Sequence, residues 1–177
     1  MKIHCRIVRL GVLSFVLMFT LGCSHSPTMG KYTYRVTLDS ALLDKNTNMM
    51  PSIEVDFVGV NESESDRWIG YNIDDYFTPG NPQRANADRY TMPFTNDKSS
   101  AQTLSAGSSN WNSWQGSGAK NMIILASIPL SSSQFAVDPR RLVLPLDRAR
   151  WGRGMTIELL IKPSGIVLMT AMRPVKE

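Results

Sequence analysis

Apolar side chains alternate with polar ones along two early segments of this 177-residue chain. In residues 31–38, KYTYRVTL, every second side chain from Tyr32 to Leu38 is apolar or aromatic, and Ser52–Val60 repeats the pattern. Successive side chains of a strand point to opposite faces, so this alternation predicts strands with one face in a core and the other towards solvent. The two segments therefore constrain the chain to a fold with a half-buried β-sheet.

Later segments predict strands of other kinds. The apolar run from Met122 to Ile128 is typical of a central strand that is buried on both faces. Arg141–Leu146 is a short strand, and its Pro145 favours an edge or a bulge because proline cannot donate to a ladder. Residues 155–172 contain two apolar runs around a Pro-Ser-Gly turn and predict a hairpin. Gln102–Leu104 is a further candidate strand.

One segment, Ser63–Phe77, follows a helical spacing instead. Ser63 with Asp66 three residues later is close to a capping box, and the predicted helix ends before Thr78-Pro79-Gly80. Residues 79–121 are rich in Pro, Asn, Ser and Gly and hold few runs typical of strands. Six or seven strands with turns and one short inserted helix predict a mainly β fold, an antiparallel β-sandwich.

The N-terminal segment has the layout of a secretory signal. Three basic residues precede Leu10–Leu21, twelve uncharged residues, a run that is short for a helix that crosses a bilayer. The end of this run, FTLGCS, resembles the lipobox of bacterial lipoproteins: Gly22 precedes Cys23, although Thr20 stands where that family usually has Leu. The alternative is an ordinary signal peptide, or an uncleaved anchor, with an incidental cysteine.

The lipobox resemblance implies that Cys23 is lipidated and begins the mature chain. One acyl chain binds a membrane only reversibly, and the lipoproteins that this segment resembles carry three. Ser24, rather than Asp, implies export to the outer membrane by the sorting rule of enteric-type bacteria, and we expect the periplasmic face. The chain then divides into a signal peptide (1–22), a polar tether (23–30) and a single β-sandwich domain (31–177).

Cleavage would change the charge and the set of reactive side chains. Loss of the three basic residues of the signal lowers the net charge from +4 to +1, so the overall charge gives no support to nucleic-acid binding. The one remaining cysteine is the lipidated one, so we expect no disulfide. The mature chain has one histidine, His25, beside Cys23. This argues against His-dependent nucleophilic catalysis and imidazole metal sites, and we predict no metal, no cofactor and no catalytic residue.

Two clusters are candidates for partner contacts. Trp111 and Trp114 lie in the polar segment Ser108–Gly118, where exposed rings would dock a protein or stack on a glycan; alternatively, the rings fold back onto the sandwich and pin the loop. A basic cluster within fourteen residues would meet anionic lipid, cell-wall polymer or an acidic partner. Alternatively, its arginines are solvated, some paired to Asp138 and Asp147. Its members are Arg140, Arg141, Arg148, Arg150, Trp151 and Arg153.

The order of segments resembles that of the TssJ-like lipoproteins of the bacterial type VI secretion machine. The corresponding pieces are LLDKNTNMMPSIEVDFVGV, then SDRWIGYNIDDYF, then the paired C-terminal strands. The resemblance implies a compact sandwich that anchors a multiprotein complex to the outer membrane. The loop that docks a partner in that family has no residue-by-residue match here, so no site residue is carried over.

Three functions follow as hypotheses. The first is a non-catalytic, lipid-anchored envelope protein that docks or scaffolds a complex of the periplasm or outer membrane, related to a secretion system. The second is a carbohydrate- or peptidoglycan-binding module that uses the same aromatic side chains. The third is a hydrolase that works through Asp or Glu, which needs two carboxylates converging in a cleft.

Overall fold

The computed structural model describes residues 28–98, 101–129 and 137–174. The predicted signal peptide, Cys23, Ser24 and His25 lie outside the described residues. The strands are β1 (Thr33–Leu38), β2 (Ile53–Val60), β3 (Arg89–Phe94), β4 (Gln102–Leu104), β5 (Asn121–Ala126), β6 (Arg141–Pro145), β7 (Thr156–Lys162) and β8 (Gly165–Leu168). The α-helices are α1 (Glu62–Gly70), α2 (Ile73–Phe77), α3 (Pro82–Asn86) and α4 (Asn110–Gly116).

The strands form two four-stranded sheets. One has the order β3-β2-β5-β6 and is antiparallel throughout. The other has the order β4-β1-β7-β8 and is mixed, because β1 runs parallel to β7. The mainly β, sandwich-like prediction is therefore confirmed, and its wholly antiparallel form is wrong. β1 and β7 are far apart in sequence, so no hairpin sets their relative direction, and the intervening chain supplies the long crossover that parallel pairing needs.

The main core lies between the two sheets. Ile53, Val55 and Phe57 project from one face of β2 into this core, and the Phe57 ring lies 5.3 Å from that of Tyr34 on β1, centroid to centroid. The core also includes three residues of β5 and three of β7: Met122, Ile124, Ala126, Ile157, Leu159 and Ile161. The opposite face of β2 and β5 is covered by α1 and α2. The run from Met122 to Ile128 is predicted to contain a strand buried on both faces, and β5 confirms this as far as Ala126, where the strand ends.

The C-terminal hairpin and the edge strand agree with the sequence. Lys162 pairs with Gly165, so two residues connect β7 to β8. Gly165 has a φ of 131°, and an added Cβ would lie 2.5 Å from the Pro139 carbonyl oxygen, so this position requires glycine on two counts. Pro145 lies on β6, an edge strand of its sheet, as predicted.

The helical prediction is only partly right, because residues 63–77 form two helices and not one. Asn61, not Ser63, caps α1: its side-chain oxygen accepts from the Glu64 amide at 3.0 Å. Asn72 caps α2 in the same way, accepting from the Asp75 amide at 3.1 Å. Asparagine is as good an N-cap as serine, so each Asn starts its own helix.

The sequence analysis predicts neither the helices α3 and α4 nor the strand β3, which all lie within residues 79–121. β3 contains Pro93, which is tolerated because β3 is an edge strand and Pro93 is exposed. α4 lies in a segment whose Ser, Asn and Gly content is typical of a loop. Its two tryptophans, three residues apart, are the only apolar signal of a helix there.

Candidate functional site

Both tryptophans of α4 point into the main core. Trp111 and Trp114 are 0% exposed, and their rings meet edge to face at 5.2 Å. The Trp111 ring also stacks on Tyr34 at 6.1 Å. Each indole N–H has a carbonyl partner: Trp111 donates to Ser105 at 3.0 Å and Trp114 to Asp88 at 2.9 Å. Both indole N–H groups are therefore satisfied, so the two large apolar rings are buried without leaving a donor unpaired.

The space for Trp114 is provided by a glycine of β2. An added Cβ at Gly59 would lie 2.5 Å from Cγ of Trp114, closer than carbon atoms approach without a shift. Gly59 thus interrupts the inward-facing series Ile53, Val55 and Phe57 at the point where α4 packs on the sheet. This explains why a valine-rich strand contains glycine at this position.

These rings offer no face to a sugar or a partner. Their burial agrees with the alternative interpretation, in which they fold back onto the sandwich and pin the segment. What α4 presents to solvent is polar: Asn112, Ser113 and Gln115 are exposed. A role of Trp111 and Trp114 in partner binding would therefore be indirect, through the position that they give to these side chains.

The predicted arginine cluster is divided between the two ends of β6. Arg140 and Arg141 lie at its start, beside the helices, while the other members follow its end. Arg140 is 8% exposed and donates to both carboxylates beside it, to Asp74 of α2 and, at 2.8 Å, to Asp138. The predicted pairing of an arginine to Asp138 is thus present. Arg141 donates to the carbonyl oxygens of Ile69 and Tyr71, where α1 ends.

The ion pairs at Arg140 shift the titration of its partners. Hydrogen bonds from Arg140 hold the pKa of Asp74 below its usual value, against a smaller opposing effect of burial. Burial by itself raises the pKa of Asp138, but the hydrogen bonds from the side chain and amide of Arg140, together with the charges of Arg140 and Arg141, lower it overall. Both carboxylates therefore stay ionised and hold the start of β6 against α2.

The members after β6 have a different environment. Arg148 and Arg153 are exposed, and Nε of Arg150 donates to the carbonyl of Arg173 at 2.9 Å. Trp151 is 1% exposed, and its indole N–H donates to the Pro145 carbonyl at 2.7 Å. Trp151 is thus a core residue that fixes the turn, and Arg148 and Arg153 are the members whose charges face solvent.

The face of β2 that the alternation predicts to point towards solvent is instead covered by helices, and its buried carboxylate, Asp56, organises the helical side. Asp56 is 0% exposed and accepts from the hydroxyls of Tyr76 (2.9 Å) and Thr91 (2.6 Å). Nε of Arg84 donates to Asp56 at 2.8 Å, and its Nη2 donates to Glu54 at 2.8 Å. Burial, and next the charge of Asp56, raise the pKa of Tyr76, so its hydroxyl stays a donor. The network joins α2 and α3 to β2.

One sequence signal for this network exists. Asp56 shares a face of β2 with Val58 and Val60, so an acidic residue lies beside apolar ones on a face that something must cover. No spacing in the sequence points to Arg84 as its partner, because the two residues meet only in the folded chain.

A groove of about 610 Å³ runs between α4 and the helices that follow β2. Its walls combine aromatic and polar side chains, including Trp68 and Tyr71 on one side and Ser113 and Ser117 on the other. Glu64 and Arg67 also line it and form an ion pair of 3.6 Å. The groove is thus polar and aromatic, with charges of both signs on its walls.

Within ranges 28–98, 101–129 and 137–174, no three His, Cys, Asp or Glu side chains lie close enough together to hold a metal ion. None of the helices in those ranges is long and apolar enough to span a membrane.

Comparisons with protein families and with curated proteins give no match. Solved structures do match. A chain of the structure "T6SS protein TssM C-terminal domain (869-1107) from EAEC" has a TM-score of 0.53 at 11% identity, over 78% of this chain and 99% of that chain. A chain of a "Type VI membrane complex" has a TM-score of 0.54 at 11% identity, over 81% of this chain and 100% of that chain.

A third match is weaker. The T6SS lipoprotein TssJ1 from Pseudomonas aeruginosa matches over 84% of this chain and 100% of that chain, at 8% identity, with a TM-score of 0.46 that is too low to carry an argument. At such identities the matches show the fold alone. The first two matches confirm the predicted resemblance at that level: this chain has a fold similar to that of chains in structures of the type VI secretion system, over most of its length.

Proposed function

We propose that this chain is a lipid-anchored envelope protein that docks a component of a type VI secretion membrane complex. The observation that supports this most is the fold match, at TM-scores of 0.53 and 0.54, to chains of two structures named for that machinery. The lipobox-like segment that ends at Cys23 supports the anchor separately, because it is a feature of the sequence and not of the fold match. The proposed location is the periplasmic face of the outer membrane.

The proposed protein partner is a TssM-like protein, since one matched structure is named for a TssM C-terminal domain. We place the contact at the groove between α4 and the helices that follow β2. The groove is concave and combines aromatic with polar side chains, as protein-docking surfaces do. The buried Trp111 and Trp114 hold α4 in place, and Ser113 and Ser117 of this segment face the groove.

The test is a pull-down of the C-terminal domain of the TssM-like protein from the same bacterium, with the detergent-extracted chain as bait. Ser113→Arg with Ser117→Arg would put two long cationic side chains into the groove, and we expect retention to fall at least about tenfold, because these side chains occupy the space that a partner needs. Ser52→Arg with Ser164→Arg adds the same charges at two exposed serines outside the groove and should bind normally.

Two results would decide against the proposal. If the unaltered chain does not retain that domain, the proposed partner is wrong. If both double variants bind alike while the unaltered chain binds, the groove is not the contact. The hydrolase alternative stays a prediction. The carbohydrate alternative required exposed tryptophan rings, and Trp111 and Trp114 are buried.

A further inference from the structure

A second pocket, of about 660 Å³, lies where the described chain begins. Four cationic side chains line it, and no acidic side chain is among its described lining residues. The cations come from three separate parts of the sequence: Lys31, Arg148 and Arg153, and Arg173. Since the mature chain would carry a net charge of only +1, this pocket concentrates positive charge well beyond the average of the molecule.

Backbone hydrogen bonds fix the positions of these three parts. The Arg148 amide donates to the Thr28 carbonyl at 3.2 Å, and the Gly30 amide donates to the Leu146 carbonyl at 2.7 Å. On the other side, the Arg173 amide donates to the Arg150 carbonyl at 2.9 Å, and Arg150 returns a bond to the Arg173 carbonyl. The chain therefore enters the domain beside the arginines, and its last described residues are held against the same turn.

One residue of the pocket lining, Tyr32, has a polar atom without a partner among the described residues. The hydroxyl of Tyr32 is buried and makes no hydrogen bond to any residue in the described ranges, although Tyr32 is only 5% exposed. Burial, and next the charge of Asp147, raise the pKa of this hydroxyl, so it stays protonated and able to donate. An unsatisfied buried donor is costly, and an anionic oxygen in the pocket would satisfy it.

The side chains around the pocket are typical of a protein surface that contacts a membrane. Met155 and Met172 are 36% and 39% exposed. Met172 accepts from Arg150, and Met155 lies against Gly152 of the pocket lining. Apolar side chains beside cations favour the boundary between headgroups and acyl chains, where each cation is attracted by anionic lipid.

The tether limits how far this pocket can lie from the anchor. Thr28 follows Cys23 by five positions, and an extended chain spans at most about 3.6 Å per residue, so the two lie within about 18 Å. If Cys23 is lipidated, as the proposed function holds, the basic pocket is confined close to the headgroups of the same bilayer.

We propose that this pocket binds the phosphate of anionic lipid headgroups and so seats the domain on the membrane that holds its acyl chains. Arg148, Arg153 and Arg173 supply charge, and the Tyr32 hydroxyl donates to a phosphate oxygen. Lys31 adds charge while its ammonium donates to Asn112 at 2.6 Å. The acyl chains would thus hold the protein on the bilayer, and the pocket would set its orientation there.

The test uses the mature chain 23–177 with Cys23→Ser, which keeps every described residue and removes the acylation site. Co-sedimentation is measured with phosphatidylcholine vesicles and with vesicles in which about one lipid in four is phosphatidylglycerol. We expect binding to the phosphatidylglycerol vesicles only. Arg148→Gln with Arg153→Gln should weaken it at least about tenfold, since each cation near an anionic surface contributes about a factor of five.

Matched variants separate this pocket from general charge attraction. Lys45→Gln with Lys162→Gln removes the same charge outside the pocket, at one position beyond the far end of β1 and one at the end of β7, and should leave binding within about twofold. Arg148→Lys with Arg153→Lys keeps the charge and should keep most of the binding. A thermal melt of each variant checks that it is folded.

Several outcomes would overturn the proposal. Equal loss in the two glutamine pairs would mean that net charge alone drives binding. Equal binding to both kinds of vesicle, or to neither, would contradict a headgroup phosphate site, as would binding of inorganic phosphate without binding of vesicles. Because the chain in this test has no acyl group, its result is independent of whether Cys23 is lipidated in the cell and of whether a secretion partner binds.

Discussion

The two faces of the β3-β2-β5-β6 sheet are buried in different ways. The inner face packs on the second sheet and on α4 through apolar and aromatic side chains, with Phe57, Trp111 and Trp114 near its centre. The outer face packs on α1 and α2 and has an ionised network around Asp56 at the edge of its apolar cluster. The inner face therefore depends on volume and shape, and the outer face depends on charge pairing that apolar contacts alone would not specify.

The largest effect is expected on the inner face. Trp114→Ala removes a fully buried ring and should lower the free energy of unfolding by about 3–5 kcal/mol, because the indole leaves both a transfer loss and a cavity. Chemical denaturation monitored by circular dichroism measures it. Trp114→Phe keeps part of the volume and should cost clearly less; an alanine variant as stable as the parent would mean that the ring is not in the core.

A smaller but still large effect is expected on the outer face. Asp56→Asn keeps the shape of the side chain and removes the charge that Arg84 and Arg89 face, so we expect a loss of about 2–3 kcal/mol in the same assay. We expect a smaller loss of stability than for a fully buried ion pair, because Arg84 is partly exposed. The control is Glu54→Gln, at the more exposed pair, which should cost less than about 1 kcal/mol. Equal costs for the two variants would mean that burial of Asp56 adds nothing.

Particular residues show which part of this difference the sequence predicts and which part it does not. The alternation of Ile53, Val55 and Phe57 predicts the inner face, because neighbouring side chains on a strand have a fixed geometry. The outer face needs Asp56 to meet Arg84, and that contact depends on how α3 folds back, which no local pattern encodes. The same limit explains β1 and β7, whose parallel pairing is a tertiary outcome.

The candidate sites show a similar division. The sequence identifies Trp111, Trp114 and Trp151 as candidate contacts, but no local rule decides between exposure and burial, since a tryptophan in a polar segment suits both. The sequence also identifies Arg148 and Arg153 as part of a basic cluster. It does not associate them with Lys31 and Arg173, because only the folded chain brings those cations to one pocket.

The smallest effect is expected at the ion pairs of Arg140. Asp74 and Asp138 have lowered pKa values in the folded protein, so their contribution to stability is present above the usual carboxyl pKa of 3.8 and is lost as the pH falls through their folded values. Arg140→Gln should cost roughly 1 kcal/mol at pH 7. The difference in melting temperature between the parent and this variant should shrink as the pH is lowered from 5 to 2.5. A difference that is constant over this range would mean that the pairs do not stabilise the fold.

The central proposal is that acyl chains on Cys23 hold the β-sandwich domain at a bilayer. Intact-mass and N-terminal peptide mass spectrometry of the protein extracted from bacterial membranes tests this most directly. We predict a chain that begins at residue 23 and carries the added mass of its acyl chains. An unmodified chain that still contains residues 1–22 would contradict it.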